Sequence, residues 1–325
     1  MQGYIIRRLL IMIPTLLFAT VVIFMLVNLL PGDIVDAVMA DSPDVRLDRA
    51  AIERMLGLDA PLIVQYGRWL GVVPGRDGKL SGIFQGNLGH SFWARKSVVE
   101  LVALKWPVTF ELGLMGLLVA QLIAIPIGIF SAARQDSWGD YAARSFAIFC
   151  ISVPGFWLAT LVIVFPSIWW GYMPPLFLIR FSQDPIGNLR MFIVPAAILG
   201  MAMSGMTMRM TRTMMLEVLR QDYIRTAYAK GLREKVVTFR HALKNALIPV
   251  ISLVGLQMPI MIGGTVIIEK IFGLPGMGRL ILDAVQQRDQ ALVSGVLFLF
   301  SIALVMINLL VDLTYSLLNP RIRYK

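Results

Sequence analysis

No charged residue interrupts the run from Leu9 to Gly32, which is bounded by Arg8 and Asp33. A helix crosses the roughly 30 Å hydrocarbon core of a bilayer in about 20 apolar residues, so this run is long enough to span. Five further runs follow. Trp106 to Ala133 is broken only by Glu111. Ser145 to Ile179 is too long for one crossing, and Gly171, Pro174 and Pro175 predict a helix end near Trp169 or Trp170. Met191 to Met208 is short, Asn245 to Ile268 is uninterrupted, and Gln290 to Asn319 is broken only by Asp312. The pattern predicts an all-α integral membrane protein with about six transmembrane helices. Arg7 and Arg8 could open a secretory signal, but the run exceeds the usual apolar core of one. No small-residue cleavage site follows before Pro31, so a retained first helix is expected.

Composition agrees with a bilayer environment. Of 325 residues, 57% are hydrophobic and 15% charged, too little polar surface to keep a chain of this length dissolved. A net charge of +10 would suggest nucleic acid in a soluble protein, but here the positive residues stand between apolar runs, so no nucleic-acid partner is expected. With the N-terminus inside, the inside segments hold Arg7, Arg8, Arg134, Arg144, the basic stretch Arg209 to Lys244, and Arg321, Arg323 and Lys325. The short outside loops hold only Arg180, Arg190, Lys270, Arg279 and Arg288. The bias of lysine and arginine towards one side places both termini in the cytoplasm. Cys150 is the single cysteine, and His90 and His241 stand far apart, which gives neither a disulfide framework nor a metal-ligand spacing.

Along the chain, residues 1–30 read as N-terminus and first helix, 31–105 as an outside loop, and 106–325 as the membrane core. The outside loop is far longer than a helix connection requires. Ala50 to Leu58 and Pro61 to Leu70 can form short helices, and Asp59, Pro74, Gly75, Asp77 and Gly78 mark turns. Its mixed charge fits a folded or membrane-hugging cap, which would be either a passive cover or a docking surface or gate. Inside, residues 209–248 place Leu216, Leu219, Tyr223 and Ala227 at helical spacing, then Val236, Phe239, Leu243 and Leu247. Gly231 between them can end a helix at positive φ. Such a hairpin could be a lever gripped by a partner, or an amphipathic element held on anionic lipid by its basic residues.

The run Asp222-Tyr-Ile-Arg-Thr-Ala-Tyr-Ala-Lys-Gly-Leu232, followed by Arg240-His-Ala-Leu-Lys-Asn-Ala-Leu-Ile-Pro-Val250, resembles the EAA loop of binding-protein-dependent ABC importer permeases of the peptide/nickel group. Leu30-Pro-Gly-Asp33, Gly86-Asn-Leu-Gly-His-Ser91 and Pro275-Gly-Met-Gly278 fit the same group, and the start of the chain resembles its B-type dipeptide/oligopeptide subunit. The resemblance runs from about residue 5 to the C-terminus. It implies a type I importer (MetI-like) permease fold with a long periplasmic loop and a cytoplasmic coupling hairpin, in a bacterial inner membrane. It also implies alternating access for peptides or similar small solutes, with a homologous second permease, two ATP-binding subunits and a periplasmic substrate-binding protein as partners. Residues Tyr223, Ala227, Lys230, Gly231 and Leu232 would then couple to the ATPase. Arg225-Thr-Ala227 stands where the general pattern has Glu-Ala-Ala, so contacts of that glutamate do not carry over. No cofactor is expected in this chain, ATP and Mg being bound by the ATPase partners. The only Gly-Lys pair, Gly78-Lys79, is followed by Leu80 and has Val73 where a P-loop needs its first glycine. The chain is therefore expected to be a transport subunit and not an enzyme.

Within the spans, Glu111 and Asp312 must face protein or water. They are read as structural partners of basic groups, with proton coupling as the other reading. The fifth span is interrupted by Gly255, Pro259, Gly263 and Gly264, which suits a pore-lining element. Gln257, Met258, Met261, Gly263 and Gly264 are the candidate pathway residues, although polar residues such as Gln257 also join helices. An ion- or proton-driven secondary transporter is the alternative, and would need inverted repeats and paired midplane carboxylates.

Overall fold

The computed structural model describes residues 2–29, 35, 39, 48–173, 175 and 177–318. The Leu30-Pro-Gly-Asp33 motif, Pro174 and the terminal Arg321, Arg323 and Lys325 lie outside the described residues. Among the described residues the regular structure is all helical, apart from one antiparallel bridge between His90 and Ser97. Five helices among the described residues are long and apolar enough to cross a membrane, or six if one sharply bent pair counts as a span. The chain divides into two compact units: Val108–Gly278 with the two chain ends, and Ile6–Pro107 with Arg279–Val305. The first expectation, a division along the chain into span, loop and core, cuts across these units.

In the unit built from Ile6–Pro107 and Arg279–Val305, α1 (Gln2–Leu29) buries a narrow stripe of Thr20, Ile23 and Val27. Leu10, Phe18, Met25 and Leu29 point outward, as suits a helix against lipid. The long loop folds onto it. Asp48 caps α2 (Arg49–Leu56) by accepting from Ala50 N at 3.1 Å, and Gly57 ends it at positive φ. Next, α3 (Leu62–Leu70) docks through Tyr66, whose hydroxyl lies 2.8 Å from Thr20 Oγ1. Phe24, Tyr66 and Trp69 pack ring against ring, and Trp69 meets Phe298 edge-on. Asp289 is the buried hub: Oδ2 accepts from Ser91 Oγ (2.6 Å) and Phe92 N (3.1 Å), and Oδ1 accepts from Leu292 N. The Gly86–Ser91 motif is thereby tied to the start of the last span, α11 (Gln290–Leu318), which follows the short α10 (Met277–Gln286).

In the other unit, α4 (Val98–Ala133), α5 (Trp138–Ser152), α6 (Gly155–Trp170) and α7 (Pro185–Leu219) lead to the hairpin and its return helix. At 1.5 Å per residue α4 and α7 are each about 50 Å long, well beyond a bilayer core. Counting between charges found only their apolar middles, because a capped helix continues past the hydrocarbon. For α7 the cap is Asp184, which accepts from Ile186 N and Gly187 N, with Pro185 at the first helical position. Small residues let its neighbours approach: a Cβ on Gly200 would stand 2.6 Å from Gly116 O, and one on Gly205 2.6 Å from Ala147 O.

The third span is a correction. The sequence reading has one helix from Ser145 to about Trp170, but the structure has α5 and α6 bent by 93° across Val153-Pro154. Pro154 offers no N–H and holds Val153 in extended backbone (φ −84, ψ 121), which stops α5. The helix also begins earlier, at Trp138, because Ser137 caps it. Each half alone is about 22 to 24 Å long and falls short of the bilayer core.

Candidate coupling hairpin

Helix α7 ends at Leu219, and after Arg220 and Gln221 the chain restarts as α8 (Asp222–Ala229). A Schellman closure follows: Gly231 N donates to Tyr228 O (2.9 Å) and Leu232 N to Ala227 O (3.3 Å), with Gly231 at φ +78. A Cβ at Gly231 would meet nothing within 4 Å, so glycine is required there by backbone conformation and not by space. A short turn of helix, Glu234–Val236, then passes through a π-helical segment, Val237–Ala242, into α9 (Leu243–Phe272).

The buried stripe differs from the expected one. In α8 the buried residues are Ile224 and Ala227, while Tyr223 is exposed. In the second arm they are Val237, Thr238, Ala242, Ala246 and Val250, while Val236 and Phe239 face out. The break at Arg220–Gln221 resets the helical phase of the first arm. The π segment sets the second, since Val237 to Ala242 is a step of five and the later steps are four. Ile224, Ala227, Val237, Ala242 and Ala246 share a core with Ile129, Ala132 and Met215, at the base of α4 and α7. Asn245 Nδ2 donates to Tyr223 Oη at 2.8 Å and joins α8 to α9.

Of the residues expected to couple, Ala227 belongs to this seat. Tyr223, Lys230, Gly231 and Leu232 are exposed, and so are Tyr228 and Phe239, neither of which was expected to couple. Arg225 sits 3.7 Å from Asp222, both largely in solvent. The hairpin is a rigid base that presents aromatic and aliphatic side chains among arginines and lysines.

Beneath it lies an ion pair that sequence reading did not find. Arg212 of α7 grips Asp140 of α5 with both forks, Nε to Oδ1 at 2.8 Å and Nη2 to Oδ2 at 2.7 Å. Asp140 is fully buried and also accepts from Ser131 Oγ of α4 (2.5 Å) and Asp136 N. The helix that carries the hairpin is thus pinned to two others at its hairpin end. Charge alternation within one segment cannot reveal a pair 72 residues apart.

The candidate pathway residues divide between two faces of α9. Gln257 is buried, its Nε2 donating to Met203 O (3.1 Å) and Thr207 Oγ1 (3.2 Å) of α7. Met258 and Met261 pack on Leu117, Ala120 and Met203, and a Cβ on Gly264 would meet Leu199 at 2.9 Å. Gly263 alone of the five is exposed, on a face shared with Leu256 and Ile267. Glu111 is half-buried, with Asn188 of α7 beside it. At the far end of α9, buried Glu269 accepts from Thr109 Oγ1 (2.6 Å), whose oxygen accepts from Met277 N (2.8 Å). The Pro275-Gly-Met-Gly278 motif clears room for this carboxylate: a Cβ on Gly276 would stand 2.3 Å from Glu269 Cδ.

Residues 124–324 match the family described as binding-protein-dependent transport system inner membrane component, and residues 1–113 match its N-terminal companion. The chain belongs to this family of transport permeases. A protein of Brucella abortus named as a peptide transport system permease is 39% identical over the full length of both chains. A glutathione transport system permease of Pectobacterium atrosepticum is 38% identical, again over all of both chains. The fold is shared with the inward-facing MetNI methionine ABC transporter, at TM-score 0.55 and 15% identity, covering 67% of this permease and 96% of that chain. The fold is therefore that of the type I ABC importer permeases, and the resemblance read from the motifs holds.

Proposed function

We propose that this permease forms half of the pathway of an ATP-driven importer for peptides or solutes of similar size, glutathione among them. It would sit in a bacterial inner membrane with both termini in the cytoplasm, beside a homologous permease. Two ATPase subunits holding ATP and Mg would lie below, and a substrate-binding protein above. The permease itself contributes no catalysis. The names of the full-length relatives support the solute class.

The observation that carries the reading is the hairpin, a surface of Tyr223, Tyr228, Leu232 and Phe239 on a seat of Ile224, Ala227 and Val237. When the ATPases close, force on α8 passes through this seat and the Arg212–Asp140 fork into α4, α5 and α7, which then move as a body between inward and outward access. The ATP-bound state must favour one of these conformations to drive the cycle. The open face of α9 through Gly263 would border the pathway, with Gln257, Met258, Met261 and Gly264 holding that helix in place behind it. Affinity purification of the tagged permease tests the coupling role. Wild type should bring down ATPase subunits, and Tyr228→Glu or Phe239→Glu should release them while the permease remains in the membrane. Undiminished copurification in both variants would overturn it. Uptake of a labelled dipeptide or glutathione into proteoliposomes, with the cognate binding protein present, tests the solute class.

A further inference from the structure

The unit built from Ile6–Pro107 and Arg279–Val305 contains a recess of about 300 Å³. Its walls are the last turns of α1 (Phe24, Val27, Asn28), the α3 residues Arg68 and Trp69, the Ser81–Gly89 turns and the first turns of α11, starting at Gln290. Because one span ends and another begins at its walls, the recess stands at a membrane surface, on the side of the long loop.

The lining contains no carboxylate. It contains Arg68, whose Nε is buried without a hydrogen-bond partner and whose charge no ion pair neutralises among the described residues. The adjacent Trp69 Nε1 is likewise buried and unpaired. Buried donors of this kind are costly to leave unmatched, and a guanidinium left open in a concave site is matched best by an oxyanion that accepts from its fork. Phe24 and Val27 continue the wall into the apolar stretch of α1, so an occupant with a polar head and an apolar body fits both parts. Trp69 adds to the lining a ring of the amphipathic kind enriched where membrane meets water.

We propose that this recess is a phosphate-group site filled by the headgroup of an anionic phospholipid, which seats the long loop on the membrane. The test is native mass spectrometry of the full chain released from nanodiscs of phosphatidylcholine doped with phosphatidylglycerol. Wild type should retain phosphatidylglycerol, and Arg68→Gln should lower retention about tenfold or more, the worth of a charge-assisted pair. Arg68→Lys should fall between them. Asn28→Glu changes an exposed position, so it keeps the test decisive should Arg68→Gln fold poorly; its carboxylate should compete for Arg68 and displace the lipid. A parallel arm adds inorganic phosphate to the protein in neutral detergent. Arg68-dependent binding of phosphate alone would keep the phosphate site and make free phosphate its source. Equal phosphatidylglycerol retention by wild type, Arg68→Gln and Asn28→Glu would overturn the proposal.

Discussion

Gly231 and Arg212 are held by opposite kinds of physics, and their substitutions should fail differently. At Gly231 there is room for a side chain but the backbone is left-handed, a conformation that costs an ordinary residue about 1–2 kcal/mol. Asparagine tolerates it and β-branched residues do not. Gly231→Asn should therefore keep most uptake and Gly231→Val should lose it, with both proteins inserted at wild-type abundance on membrane immunoblots. Equal loss in both would point to contact with the partner and not to backbone geometry. At Arg212 the issue is charge. Arg212→Ala leaves the Asp140 carboxylate buried without its fork, a change that costs about 3 kcal/mol or more. Thermal unfolding in detergent should show a clearly lowered midpoint, and Arg212→Ala combined with Asp140→Ala should recover part of it.

At the scale of elements, the π-helical segment decides which face of α9 the hairpin sees. The five-residue step from Val237 to Ala242 lets both reach one core, and the steps of four beyond keep Ala246 and Val250 in line. Deleting Thr238 would restore an ordinary helix and turn everything before it by about 100° relative to α9. The expected result is an inserted permease with little uptake, in which Val237 has left the seat; normal uptake from the deletion would show that the register is immaterial. The bend between α5 and α6 teaches a related lesson. Val153-Pro154 is a local stop signal plainly present in the chain, yet a search for uncharged runs passes through it, because hydropathy does not register a missing N–H.

For the whole molecule, orientation is the property that function depends on and that charge predicts. In a Cys150→Ala background, a cysteine at Lys230 should react with an impermeant maleimide only after the cell is opened. One at Gly75 should react in cells whose outer membrane alone is permeabilised. Reversed labelling would invert the topology and with it the placement of both partners. What the amino-acid order determined by itself was the presence of spans, the hairpin with its glycine and the membership of a permease family, since hydropathy and turn chemistry act over a few neighbouring residues. What only the tertiary structure decided was which residues those elements turn inward. Ile224 replaces Tyr223 in the seat, Gln257 and Met261 pack inside the bundle, and Asp140 finds Arg212. Phase breaks, a π turn and pairings 50 to 72 residues apart set those outcomes, and each arises when helices pack against one another and not along any one of them.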